Sequence, residues 1–267
     1  MKFSIVVVCL NAGEKLNDTL KSIFSQDYDD YEVIVKDGGS RDGSVEGMLQ
    51  DKRIRLYVEK DTGIYDAMNQ AVAYAEGEFI IFLNCGDRFH GTDVLSSAVS
   101  LINAKPQKEK LILYGNIYNE KTDSWIIPSP QITGFTCYRN VPCHQSCIYA
   151  AGLCKEKPYD TQYRIRGDYE HFLWCYYRAG AKMIYMDRAV ADYEGGGFSE
   201  TKENLKRSKE EHKKITALYM GKGELFRYRA ILFCTFVPLR TYLAQSRAFS
   251  GLYHKLTAAI YRRKQNL

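Results

Sequence analysis

The sequence predicts an α/β fold, with a mostly parallel central sheet flanked by helices over residues 1–220 and a basic helical extension over 221–267. Three observations predict it. Apolar, β-branched runs alternate with segments of helical period from Phe3 to Asn103. Two of those runs end in a carboxylate-bearing turn, Asp37-Gly38-Gly39-Ser40 and Asn84-Cys85-Gly86-Asp87. The composition is that of an ordinary globular chain, with 45% hydrophobic and 26% charged residues among 267. Strand–helix alternation at this pace means right-handed βαβ units.

Phe3 to Leu10 is apolar throughout and reads as a buried parallel strand. Gly13 to Gln26 places Leu16, Leu20, Ile23 and Phe24 at helical spacing. Tyr31 to Lys36 is the second strand, Asp42 to Gln50 a short helix capped by Asp42, and Ile54 to Val58 the third strand. Thr62 to Ala75 gathers Ile64, Met68, Ala71, Val72 and Ala75 on one helix face. Glu78 to Leu83 is the fourth strand, and Thr92 to Asn103 a helix capped by Thr92. Beyond Lys110 the rhythm changes. Leu111 to Tyr118 and Trp125 to Ile127 read as strands, and an irregular stretch with Pro128, Pro130 and Pro142 follows. Asp168 to Ala179 is a helix, Lys182 to Met186 and Ala189 to Tyr193 are short strands, Glu194 to Ser199 is a glycine-rich loop, and Glu200 to Tyr219 is a charged helix.

Carboxylates where parallel strands end are how an open sheet builds a ligand crevice. Asp37 could accept a hydrogen bond from a uracil or guanine N–H, with Gly38 and Gly39 letting the backbone approach closely. Asp-Gly is also common in plain turns. Asp87 follows an apolar run and suits a hard cation, Mg²⁺ or Mn²⁺, which takes one or two carboxylates together with substrate phosphate oxygens. Cys143-His144-x-x-Cys147 lacks the two-residue gap of a zinc ribbon. Met1-Lys2-Phe3-Ser4 leaves no room for a signal h-region, so reduced thiols in a cytoplasmic setting are expected for the 8 cysteines. A Gly-x-Gly-x-x-Gly turn after the first strand is absent, which excludes a dinucleotide-binding protein of that type. A sugar nucleotidyltransferase would want a Gly- and Arg-rich loop where Asn11-Ala12-Gly13-Glu14-Lys15 stands.

Taken together, Ser4 to Asn11, Asp37 to Ser44, Asp61-Thr62-Gly63-Ile64-Tyr65-Asp66-Ala67-Met68-Asn69 and Phe82 to Asp87 resemble a family 2 glycosyltransferase with the GT-A fold. The second half resembles the colanic-acid type of bacterial exopolysaccharide transferases. It shows the pair His144-Gln145, the helix-opening Asp168-Tyr169 and the loop Gly196-Gly197-Phe198-Ser199. The resemblance implies an inverting transfer from a nucleoside-diphosphate sugar to a glycan or polyprenyl-diphosphate-linked acceptor. It implies a nucleotide pocket of Asn11, Asp37, Gly38, Gly39, Ser40, Asp66 and Asn69, and Asp87 as the metal-binding member of an Asp-x-Asp-like motif. Asn84 and Gly86 stand where many relatives have aspartates. Asp168 matches the catalytic base, a role compatible with capping a helix, and Glu170 is the fallback. His144, Arg164 and Arg166 are assigned to the acceptor or the diphosphate.

From Gly221 to Leu267 there are nine cationic side chains and one anionic, Glu224, a net +8 that leaves residues 1–220 at −3. As one helix, Leu239 to Tyr261 would segregate Tyr242, Phe249, Leu252, Tyr253, Leu256 and Ile260 from Arg240, Arg247 and Lys255. A cationic amphipathic helix with aromatics on its apolar face reads as an interfacial anchor. The expected partner is the anionic inner face of the cell membrane, not nucleic acid. The competing reading is a non-catalytic, membrane-associated assembly protein.

Overall fold

The structure, a computed structural model, describes residues 1–106, 108–195 and 201–234. Strands β1 (Phe3–Cys9), β2 (Tyr31–Asp37) and β3 (Ile54–Val58) run parallel, with helices α1 (Lys15–Phe24) and α2 (Ile64–Tyr74) in the crossovers around them. Strand β4 (Phe79–Phe82) returns to the other side of β1. Every residue of β1, β2 and β4 is buried, as expected of strands covered on both faces. The polar residues among them are paired. The Ser4 hydroxyl donates to Glu32 at 2.6 Å, and Arg55 reaches Glu32 at 2.8 Å.

The remaining strands are β5 (Arg88–Phe89), β6 (Leu111–Asn119), β7 (Ser124–Ile126), β8 (Cys147–Ala150) and β9 (Lys182–Tyr193). Among the described residues they complete one 9-stranded sheet in the order β3-β2-β1-β4-β8-β6-β9-β5, with β7 beside β6. The longest ladders are parallel, and β8 enters antiparallel to both β4 and β6. Helices α3 (Val94–Asn103), α4 (Gly134–Arg139), α5 (Ala151–Glu156) and α6 (Gly167–Tyr177) connect these strands. Strand order reverses between β1 and β4, so the chain leaving their carboxyl ends opens a crevice there.

Some elements differ from expectation. Asp42 to Gln50 is a run of turns. Asp42 accepts from the N–H groups of Gly13 at 2.9 Å and Ser44 at 3.1 Å, and Gly43 takes φ +82°, which ends any helix there. Helix α3 begins at Val94 rather than at Thr92. Its first amides donate to Gln26 Oε1 at 3.1 and 3.2 Å, so a distant side chain caps it. The two short strands near Met186 are one, β9, whose register against β6 shifts around Asn116.

Two units divide the chain, Met1–Ile215 and Thr216–Leu267. Helix α7 (Lys202–Tyr219) begins in the first, and α8 (Lys222–Cys234) lies in the second. The loop Gly196 to Ser199 and the proposed helix Leu239 to Tyr261 lie outside the described residues. Among the described residues, no helix is long and apolar enough to cross a membrane.

Candidate active site

Two cavities meet at the crevice. The first, about 470 Å³, is lined by Leu10, Asn11 and Lys15 after β1, Asp61 before α2, and Asn84 and Cys85 after β4. The second, about 370 Å³, also touches Asn84 and Cys85 and extends to Asp87, His144, Asp168 and Glu194. Those two residues and Ile64, which lines both, make the cavities two ends of one trough.

The first end is held by a bonded loop. Asp37 is 1% exposed. Its Oδ2 accepts from the N–H groups of Gly39 and Ser40, both at 2.8 Å, and its Oδ1 accepts from the Ser40 hydroxyl and the Cys9 thiol. Burial pushes its carboxyl up, but those donors outweigh it and hold the group below the usual carboxylate value. With four donors taken, Asp37 shapes the loop under the cavity rather than facing a guest. Asn11, in the left-handed region at φ 49°, accepts from Arg41 N–H at 3.0 Å and donates its own N–H to Ser40 Oγ at 2.7 Å. A Cβ on Gly38 would lie 2.8 Å from Asp61 Oδ2, so glycine is what lets that carboxylate into the cavity wall. The ammonium of Lys36, wholly buried, fixes Asp61 at 3.3 Å. Asp61 is therefore the carboxylate lining this end. It lies in the motif that the sequence exposes, but nothing local ranks it above its neighbours.

At the second end, Asp87 accepts from Gln145 Nε2 at 3.1 Å and from the Glu194 N–H at 3.2 Å. Burial pushes its carboxyl up to about 6. Asp168 opens α6 and accepts from the Tyr65 hydroxyl at 2.8 Å and His144 Nδ1 at 3.3 Å. Burial raises it too, but the hydrogen bonds from His144 and Tyr65 prevail and hold it below the usual value. A Cβ on Gly167 would meet the Tyr65 ring at 2.8 Å, so glycine before Asp168 admits the tyrosine beneath it. The approach to α6 is pinned by Glu211 of α7, which accepts from the N–H groups of Arg164, Ile165 and Arg166 at 2.9–3.0 Å.

His144 ties the two carboxylates' surroundings together. With Nδ1 facing Asp168, its Nε2 accepts from Asn84 Nδ2 at 3.0 Å. That leaves Asn84 Oδ1 buried without a hydrogen-bond partner among the described residues. An orphaned acceptor costs free energy unless a guest supplies a donor or a cation. Asp87, Asn84 and Glu194 line this same cavity with oxygen-bearing side chains, a donor type that suits Mg²⁺ or Mn²⁺. No group of three or more His, Cys, Asp or Glu residues among those described could hold a metal ion by itself, so a cation here would depend on oxygens from a guest.

Other predicted site residues are drawn elsewhere. Asp66 accepts from the Thr62 N–H at 2.8 Å and lines a neighbouring hollow with Arg164. Asn69 exchanges two hydrogen bonds with the backbone of Tyr159, at 2.8 and 2.9 Å. Arg166 packs over the Tyr169 ring and bonds Ser208 at 2.8 Å, away from the trough. Glu170 is buried against Lys157 at 3.0 Å. Arg164 reaches the second cavity.

The glycosyl transferase family 2 model matches residues 4–187. A PGL/p-HBAD biosynthesis glycosyltransferase of Mycobacterium tuberculosis is 31% identical over 215 residues, which is 77% of this chain and 83% of that protein. An uncharacterized glycosyltransferase of the same species is 33% identical over 175 residues, 64% of this chain and 67% of that one. Among solved structures, TarS 1–349 of S. aureus in complex with UDP superposes with a TM-score of 0.66 at 19% identity, over 93% of this chain and 73% of that one. The mannosyltransferase PcManGT of Pyrobaculum calidifontis, in complex with GDP-Man and Mn²⁺, gives 0.57 at 15% identity, over 95% of this chain and 83% of that one. Both neighbours share the α/β fold.

Proposed function

The chain belongs to glycosyl transferase family 2 and is a glycosyltransferase of GT-A fold; from that premise, we propose that it is an inverting enzyme of bacterial surface polysaccharide or glycolipid synthesis. It would move a sugar from a nucleoside-diphosphate sugar to a hydroxyl of a glycan or polyprenyl-diphosphate-linked acceptor. The observation that carries this reading is the sharing of one cavity by Asp87 and Asp168, whose acidities are shifted in opposite directions. Complexes of the fold neighbours with UDP, and with GDP-Man and Mn²⁺, support a nucleotide-sugar donor and a divalent cation.

In this reading the nucleoside occupies the cavity of Asn11 and Asp61, over the loop Gly38-Gly39-Ser40 that Asp37 braces. The diphosphate lies across Asn84 and Cys85. Asp87 and Asn84 Oδ1 would hold Mn²⁺ or Mg²⁺, which supplies Lewis-acid stabilisation of the leaving diphosphate. Asp168, kept ionised by Tyr65 and His144, takes the proton of the attacking acceptor hydroxyl. A single base on the attacking side gives direct displacement and inversion at the anomeric carbon. Arg164 and His144 border the space where acceptor and diphosphate meet.

Association of the C-terminal unit with the cytoplasmic face of the membrane completes the proposal. It is supported by the +8 charge from Gly221 onward and by α8, where Phe226 and Phe233 are 76% and 78% exposed and lie seven residues apart, on one face. Thermal shift across UDP- and GDP-sugars, with and without Mn²⁺, followed by donor hydrolysis with the best binder, tests the enzymatic reading. No shift and no turnover with any donor would remove it.

A further inference from the structure

Asp87 is the only carboxylate in the Asn84-Cys85-Gly86-Asp87 turn, yet a second carboxylate comes to it from elsewhere in the chain. Glu194 follows β9, and its N–H donates to Asp87 Oδ1 at 3.2 Å. Its side chain folds back over Gly86, where any Cβ would collide with Glu194 Oε2. Gly86 is also at φ +98°, so the turn excludes a side chain on two counts. The space that an aspartate at position 86 would fill is thus occupied by the carboxylate of residue 194. Across from it, Lys15 Nζ pairs with Glu194 Oε1 at 2.6 Å. Lys15 lines the nucleoside cavity and Glu194 the cavity of Asp87 and Asp168, so the ion pair bridges the place where the two ends join.

We propose that Glu194 is the second carboxylate of the cation site, and that Lys15 is its partner only until a diphosphate arrives. The inference rests on the metal-dependent reading above. A guest with an anionic diphosphate and a divalent cation presents each member of the pair with a better partner. Lys15 turns to phosphate oxygens and Glu194 to the cation, beside Asp87 and the orphaned Asn84 Oδ1. The exchange keeps the charges balanced. The pair is about half exposed at both partners, 56% and 41%, so breaking it costs the fold little.

The test is calorimetric titration of the full chain with Mn²⁺, and with UDP and GDP, for wild type, Glu194→Gln and Lys15→Met. Circular dichroism checks that each variant is folded. Glu194→Gln should lose about tenfold or more in Mn²⁺ affinity with nucleoside diphosphate present, within the range seen when metal-site groups are removed. Its metal-free nucleotide affinity should be unchanged or higher. Lys15→Met should do the reverse: weaker nucleotide binding, with Mn²⁺ binding alone no weaker than wild type. Unaltered Mn²⁺ affinity in Glu194→Gln, or the same defect in both variants, would reduce the pair to a structural contact and overturn the proposal. Wild type that binds no nucleotide under any condition would remove the parent reading together with this one.

Discussion

Replacing Asp168 with Asn removes the proposed base while keeping its shape. Asp168 accepts from Tyr65 Oη at 2.8 Å and from His144 Nδ1 at 3.3 Å. An asparagine oxygen keeps one of these donors, and its NH₂ then faces the other. The mismatch is soft. Tyr65 has the Ile165 carbonyl at 2.9 Å as a second acceptor. His144 can take its other tautomer, with Nε2–H turned to the Asn84 oxygen that now lacks a donor. The stability loss should therefore fall near the low end of the range for a broken buried hydrogen bond, about 1 kcal/mol. The rate loss should be much larger. General base catalysis contributes about 10²- to 10⁴-fold, or roughly 3–5 kcal/mol of barrier at about 1.4 kcal/mol per decade. Donor affinity should stay within about threefold of wild type, well under 1.4 kcal/mol, because Asp168 does not line the cavity proposed for the nucleoside. The assay is a triple readout on one preparation: transfer rate, nucleotide dissociation constant and urea midpoint. Transfer within tenfold of wild type would show that another group takes the proton. Nucleotide binding lost along with transfer would move Asp168 out of the base role and into the donor pocket.

Asp87→Ala should bind nucleoside diphosphate in Mn²⁺ no more tightly than wild type does in EDTA; affinity unchanged by the substitution removes Asp87 from the cation site. Burial lifts the Asp87 carboxyl to about 6, so its neutral form dominates below that pH. Proton and cation compete, and Mn²⁺ affinity should fall about tenfold per pH unit below about 6 and level off above 7; a profile flat down to pH 4.5 would contradict the assignment. Gly38→Ala should push Asp61 off its Lys36 contact, cost about 1–3 kcal/mol of stability and weaken nucleotide binding with or without metal. Truncation after Gly221 should abolish co-sedimentation with anionic vesicles while leaving neutral vesicles unbound as before; full-length protein that ignores both kinds makes the tail a packing element.

How much of this is legible in the sequence depends on length and on contact distance. The strands β1, β2 and β4 announce themselves as apolar runs because both of their faces are covered. The six-residue helices α4 and α5 and the four-residue β8 are too short for any periodicity to register. Asp42 to Gln50 begins with a good capping residue, but Asp42 spends its carboxylate on the Gly13 loop. Within the site, Asp87, His144 and Asp168 are visible because they stand in spaced motifs at element ends. Motif membership says nothing of which way a side chain faces, and so it puts Asp66 and Asn69 in the pocket and passes over Asp61. Tyr65 and Glu211 act on the Asp168 segment from 103 and about 45 residues away, a relation only folding creates.

In the proposed mechanism, one cavity carries two carboxylates with opposite needs. A base must be charged before the acceptor arrives, and Asp168 is surrounded by donors that make it so. A metal-binding carboxylate must be ready for a cation yet tolerable without one. Asp87, buried with two N–H donors, meets the second condition by holding a proton more readily than an exposed aspartate. Opposed environments of this kind mark separate roles for chemically identical groups. His144 stands between them, donating to Asp168 and accepting from Asn84, so the Asn84 oxygen is turned away from the imidazole and left unpaired. Replacing His144 with Phe should therefore disturb both sides at once: Asp168 loses a donor and its acidity weakens, while Asn84 is free to rotate and cation affinity falls. A variant that altered the pH profile of transfer but not Mn²⁺ binding would show that the two ends of the trough are independent, and that Asn84 is held by something other than the imidazole.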